Sequence, residues 1–141
     1  RHDPRFADKG FMYHCCNWEL FWNRPTPGAG TREDAARSRQ VATDARALAN
    51  RVRAAMKEVP KNRGNVESVV FGLRRLGFAA RTAEFAASPN AGKAKALARD
   101  LKDLKADFSD LWLRANKPEG LENIEKRFDD LISWWENPPA P

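Results

Sequence analysis

The chain has 141 residues, carries 25 Lys and Arg against 19 Asp and Glu for a net charge of +6, and is 42% hydrophobic. That is enough for one domain whose core needs no metal or disulfide staple, and the mix of apolar and charged residues predicts a soluble globular fold. No apolar run approaches the roughly 20 residues that span a bilayer, and the polar start Arg1-His2-Asp3-Pro4-Arg5 does not read as a signal peptide, so no membrane partner is expected.

The chain does not begin with Met, so it is expected to be processed or to be a piece of a longer polypeptide. Its charge is uneven. Residues 1–90 hold 16 Lys and Arg against 9 Asp and Glu, a net of +7, whereas residues 91–141 hold 9 against 10, a net of −1. A basic part beside a near-neutral one hints at a surface that faces a polyanion. The plainer reading is a solvated, Arg-rich helix surface, because no tight Lys/Arg cluster occurs.

Residues 1–30 form an aromatic-rich head that differs from the rest. Phe11-Met12-Tyr13-His14-Cys15-Cys16 is a short apolar run and reads as a strand. Adjacent cysteines rarely bridge each other, and without a CxxC pair no zinc site built from Cys is expected. His14 beside them suggests a metal or thiol site; the simpler reading is two small apolar thiols on a strand or turn. This Cys usage fits a reducing compartment. Trp18, Phe21 and Trp22 put three aromatics in five residues, which must pack against something, and Pro25, Pro27, Gly28 and Gly30 make the following stretch a loop.

Residues 31–141 are expected to be helical. A first helix should begin at Thr31, which can cap, with Glu33 and Asp34 in its first turn. Its apolar stripe reads Val41, Ala45, Leu48, Val52, Ala55, Val59, and Pro60 stops it after about 28 residues, or about 42 Å. A second helix is expected after Gly64 with Asn65 as its cap. It carries Val66, Val69, Val70, Leu73, Leu76 and Ala80 on one stripe, widened by Phe71, Phe78 and Phe85, and ends at Ser88-Pro89. A third starts at Asn90 and alternates steps of four and three through Leu97, Leu101, Leu104, Phe108 and Leu111, the seam of a bundle helix. Asp100, Asp103, Asp107 and Asp110 are expected on its wet face. After a break at residues 116–120, a fourth carries Leu121, Ile124, Phe128, Leu131 and Trp135. Short connections between long amphipathic helices favour antiparallel neighbours, so the expected fold is all-α: an antiparallel bundle of about four helices with a short irregular or single-strand head.

No self-contained catalytic constellation is visible, and neither a cofactor nor a metal site is expected. The two histidines, His2 and His14, offer no convincing triad, and there is no phosphate-binding Gly loop and no HExxH. The one chemically suggestive pair is Trp18-Glu19. An aromatic platform beside a carboxylate suits a sugar, the ring stacking on its apolar face and the carboxylate accepting hydroxyl hydrogen bonds. The competing reading is a hydrophobic anchor that docks the head onto the bundle.

The segment Phe108-Ser-Asp-Leu-Trp-Leu-Arg-Ala-Asn-Lys-Pro-Glu-Gly-Leu121 resembles part of the C-terminal helical region of some bacterial β-N-acetylhexosaminidase-like proteins of glycoside hydrolase family 20. There a helix ending in Leu-Trp leads through an Arg-Asn-Arg-Pro-Gly-Gly-Leu-like turn to a last amphipathic helix. Here Ala115 splits Arg114 from Asn116, Lys117 stands for an Arg and Glu119 for a Gly. In that family a catalytic barrel precedes the helical region, and its last strand carries a Trp followed closely by a Glu that line the sugar site. Tyr13-His-Cys-Cys-Asn-Trp-Glu19 is similar to the end of such a strand. The resemblance thus implies that Trp18 stacks on a sugar, that Glu19 accepts its hydroxyls, and that the head is the last strand and loop of a preceding barrel. The family's catalytic Asp-Glu pair belongs to an earlier strand, so no catalytic residue is assigned here, and a two-carboxylate hydrolysis could not be assembled from one strand.

Three readings follow. The first is a helical accessory domain of a carbohydrate-active enzyme, non-catalytic by itself, with the rest of a longer polypeptide or a partner chain packed on the aromatic head at residues 11–22. The second is a basic helical subunit of a nucleic-acid-binding or other macromolecular assembly, less favoured because the aromatics sit in apolar stripes and are not interleaved with basic residues. The third is a structural subunit that docks its aromatic head into a larger complex.

Overall fold

The computed structural model describes residues 21–58 and 61–139. Among the described residues there are four α-helices and no strand: α1 (Arg32–Ala55), α2 (Arg63–Ala87), α3 (Ala91–Ala115) and α4 (Leu121–Glu136). The strand expected at residues 11–16, the pair Cys15 and Cys16, and the pair Trp18 and Glu19 lie outside the described residues.

Each helix starts and stops for local reasons. Thr31 opens α1 with a capping box: its hydroxyl accepts the Asp34 N–H at 3.1 Å, and the Asp34 carboxylate accepts the Thr31 N–H at 3.3 Å. Two otherwise unsatisfied donors are thereby met. α1 is 24 residues long, shorter than the stretch up to Pro60 suggests, because the chain tightens into a 3-10 turn at Met56–Glu58. Pro60 has no N–H to offer the Met56 carbonyl four residues back. α2 begins three residues earlier than expected, with Asn62 and not Asn65 at its cap. Asn62, at φ 63°, takes the cap position in the left-handed region, which Asn tolerates better than most residues, and its carbonyl accepts Asn65 N–H at 3.0 Å. Asn90 caps α3 by accepting Lys93 N–H at 3.0 Å. Gly120, at φ 86°, supplies the left-handed turn into α4.

Successive helices run antiparallel. Cross-helix pairs step up one helix and down the next: Arg81–Asp100, Arg74–Asp107 and Glu67–Arg114 between α2 and α3, Lys102–Glu136 and Lys105–Asp129 between α3 and α4. The core lies among α2, α3 and α4. Phe71, Phe78 and Phe85, one heptad apart, meet Leu97, Leu101 and Leu104 from α3 and Phe128, Leu131 and Trp135 from α4. Full burial of side chains this size stabilises by about 1.5–3 kcal/mol each. Phe108 and Leu111 are only partly buried at the edge of this core, and Val69, expected in the α2 stripe, is 54% exposed. The α2 face is set by the heptad line of phenylalanines, and Val69 falls outside it.

α1 packs by a different rule. Its buried positions are Ala35, Ala45 and Ala49, whereas Val41 and Leu48, expected in the core, are 38% and 45% exposed. The seam consists of small side chains laid against α2. A Cβ on Gly77 would stand 3.7 Å from Ala45 Cβ and 3.8 Å from the Ala42 carbonyl oxygen. Backbones this close leave no room for Leu48 in the seam, so the bulkier residues turn to the edge. α1 is therefore a flank lying on α2, and this leaves a furrow between α1 and α3.

Candidate functional site

The end of the head is fixed to the bundle. Phe21 is fully buried, its ring 5.2 Å from Phe78 and 5.6 Å from Phe128. Trp22 packs edge-on against Phe128 at 4.9 Å, and the Arg127 guanidinium lies 4.7 Å from the centre of its ring. That cation covers one face of the indole, as cation–π attraction favours. From there the loop crosses to the far end of α2. The Gly30 N–H donates to the Ala86 carbonyl at 3.3 Å, and a Cβ at Gly30 would come within 2.8 Å of the Ala87 backbone nitrogen. The aromatic cluster thus acts as an anchor through Phe21 and Trp22; its other member, Trp18, lies with Glu19 outside the described residues.

The segment from Phe108 to Leu121 is a clasp between α3 and α4. Trp112 Nε1 donates to the Lys117 carbonyl at 2.8 Å, and the Trp112 carbonyl accepts Asn116 N–H at 2.8 Å. Pro118 accepts Leu121 N–H at 3.1 Å through its carbonyl, and Gly120 turns the chain. Ser109 donates to Glu125 at 2.6 Å, tying the two helices beyond the turn. Ser109, Trp112, Asn116, Pro118 and Gly120 thus each have a structural task in this clasp.

A furrow runs between α1 and α3. Its volume is about 270 Å³, and α2 forms its floor. Arg46, Asn50 and Arg53 line the α1 wall at steps of four and three, which puts them on one face. Arg74 and Arg81 rise from the floor, one heptad apart, and pair with Asp107 and Asp100 of α3. Partial burial lowers the pKa of both floor arginines, and the neighbouring cations, Arg53 for Arg74 and Arg46 for Arg81, push in the same direction. Arg46 and Arg53 have no anionic partner among the described residues. The furrow therefore carries an excess of positive charge, with planar five-donor groups that suit carboxylate, phosphate or sulfate.

The sequence showed the basic bias of residues 1–90 but missed this constellation. The signal was present as three matched heptad steps, Arg46 to Arg53, Arg74 to Arg81 and Asp100 to Asp107. Asp100 and Asp107, expected on a solvated face, are the partners of the floor arginines. Among the described residues, no group of three or more His, Cys, Asp or Glu side chains could hold a metal ion, and no described helix is long and apolar enough to cross a membrane. No protein-family model, curated protein or solved structure matches the chain.

Proposed function

We propose that this chain is the helical C-terminal accessory domain of a β-N-acetylhexosaminidase-like, carbohydrate-active enzyme, and that it is non-catalytic by itself. The clasp sequence from Phe108 to Leu121 and the dipeptide Trp18-Glu19 supply the resemblance. The observation that carries the reading is the complete burial of Phe21, two residues after Glu19. Two residues of extended chain reach at most about 7 Å, so the buried Phe21 is a fixed point of the chain close in sequence to the Trp18-Glu19 pair. A helical domain that grips the chain directly after a sugar-binding Trp-Glu pair would hold that pair in place for chemistry performed by residues elsewhere. Pre-organisation of this kind raises catalytic efficiency without direct participation.

The reading frame upstream of Arg1 provides the first test: it is expected to encode a barrel-sized sequence with an Asp-Glu pair. In that longer protein, Glu19→Gln should lower kcat/KM by a charge-assisted hydrogen bond's worth, roughly 1.5–3 kcal/mol, with the helical signal intact. The isolated 141-residue chain should hydrolyse no aryl N-acetylglucosaminide. An unchanged kcat/KM in Glu19→Gln, or hydrolysis by the isolated chain, would overturn the proposal.

A further inference from the structure

The furrow between α1 and α3 has no task in that reading, and its chemistry points to a ligand of its own. We propose that it is a binding site for an extended oxyanion chain, phosphate or sulfate, whose charged groups contact Arg46 and Arg53 together. The two arginines are seven residues apart on one face of α1, which separates them by about 10 Å along the helix axis. Asn50 lies between them on the same wall and adds a neutral amide donor.

Charge accounting favours an anion along the α1 wall. On the floor, Arg74 and Arg81 are already matched by Asp107 and Asp100. Among the described residues the two α1 arginines are not matched, yet each stands close enough to a floor arginine to oppose its positive charge. Without a ligand the furrow holds like charges together, and an oxyanion lying between the α1 wall and the floor would relieve that repulsion. Guanidinium groups bind tetrahedral oxyanions through two parallel N–H donors, so one group on each arginine gives two such contacts from one linear molecule. A single small anion reaches only one of them. The α3 wall, with its carboxylates, confines the ligand to the α1 side.

Among the furrow-lining residues the only aromatic is Phe78, and it is buried in the core, so stacked bases find no platform. This favours a phosphate or sulfate chain over single-stranded nucleic acid.

The site stands independently of the accessory-domain proposal and is tested on the 141-residue chain by titration calorimetry. The probes are orthophosphate, a linear inorganic polyphosphate long enough to span both arginines, and a sulfated oligosaccharide of matched charge. The polyphosphate or the sulfated chain should bind at least about tenfold more tightly than orthophosphate, and whichever binds more tightly identifies the source of the oxyanions. Arg46→Gln with Arg53→Gln should weaken that binding at least about tenfold, while Lys95→Gln with Arg99→Gln, an equal loss of exposed charge on α3, should leave it within about twofold. Arg46→Lys with Arg53→Lys, which keeps the charge and loses the fork, should fall between. Circular dichroism of each variant checks that the helices persist. Equal losses in the two Gln pairs, or equal affinity for orthophosphate and for both longer probes, would overturn the proposal. So would tighter binding of a single-stranded oligonucleotide of matched charge through the same arginines, which would make the furrow a nucleic-acid site.

Discussion

Arg81 of α2 is ion-paired to Asp100 of α3, and one heptad along the same interface Arg74 and Asp107 repeat the pair. The repetition is a consequence of antiparallel register, in which seven residues up one helix meet seven residues down the other. It also makes the two faces of each floor arginine unequal, with an acidic partner on α3 and a basic neighbour on α1.

That inequality predicts opposite responses to two substitutions. Arg46→Gln should leave the melting temperature unchanged or raise it, because it removes a charge that opposes Arg81. Arg81→Gln should destabilise by up to about 1 kcal/mol, the range of a partly exposed pair. Both effects should shrink as salt is added, since the groups are partly solvated. An Arg46→Gln chain that melts clearly lower would mean that Arg46 has an anionic partner.

Two glycines should respond in opposite ways to alanine. At Gly30 the new Cβ would meet the Ala87 backbone nitrogen at 2.8 Å, and backbone cannot swing aside as a side chain can. A cost of about 1–3 kcal/mol is expected in urea unfolding. At Gly72, inside α2, a Cβ meets nothing within 4 Å. Gly72→Ala should stabilise by about 0.5–1 kcal/mol, because alanine has less backbone freedom to lose in a helix.

Phe21→Ala should cost about 3–5 kcal/mol, as for a fully buried aromatic, although it lies before the first of the four helices. Phe128→Ala should cost a similar amount. The ring centres are 5.6 Å apart, so the double variant should deviate from the sum of the singles by at least about 0.5 kcal/mol. Additive losses would show that the head and the bundle are energetically separate.

The capping box gives α1 a defined acid response. The hydrogen bonds from the Thr31 hydroxyl and then from the Thr31 backbone hold the Asp34 carboxyl below its ordinary value of 3.8. A pKa lower in the folded chain than in the unfolded one means that the contribution is complete above the unfolded value. It is lost as the pH falls through the folded value. The first turn of α1 should therefore loosen only in acid below about pH 4. NMR titration of the Asp34 carboxyl should give a midpoint under 3.8, and Thr31→Ala should move it back up. A midpoint at or above 3.8 in the unaltered chain would show that the box is open in solution.

The order of the helices, the breaks between them and the main core were legible in the sequence. Proline and glycine act on the backbone locally, so the breaks near Pro60, Pro89 and Pro118 needed no tertiary information. The phenylalanines at 71, 78 and 85 and the leucines at 97, 101 and 104 line the core because their period matches the helix and their bulk demands burial. What hydrophobicity could not decide was which face α1 presents. Val41 and Leu48 are more apolar than Ala45 and Ala49, yet the alanines are buried, because close approach to Gly77 on another helix rewards small side chains over greasy ones. The rotation of α1 that this close packing imposes brings Arg46 and Arg53 over Arg74 and Arg81. The sequence by itself determined the helices, their charges and their heptad spacing; only the packing of α1 on α2 decided that four arginines from two helices would share one furrow.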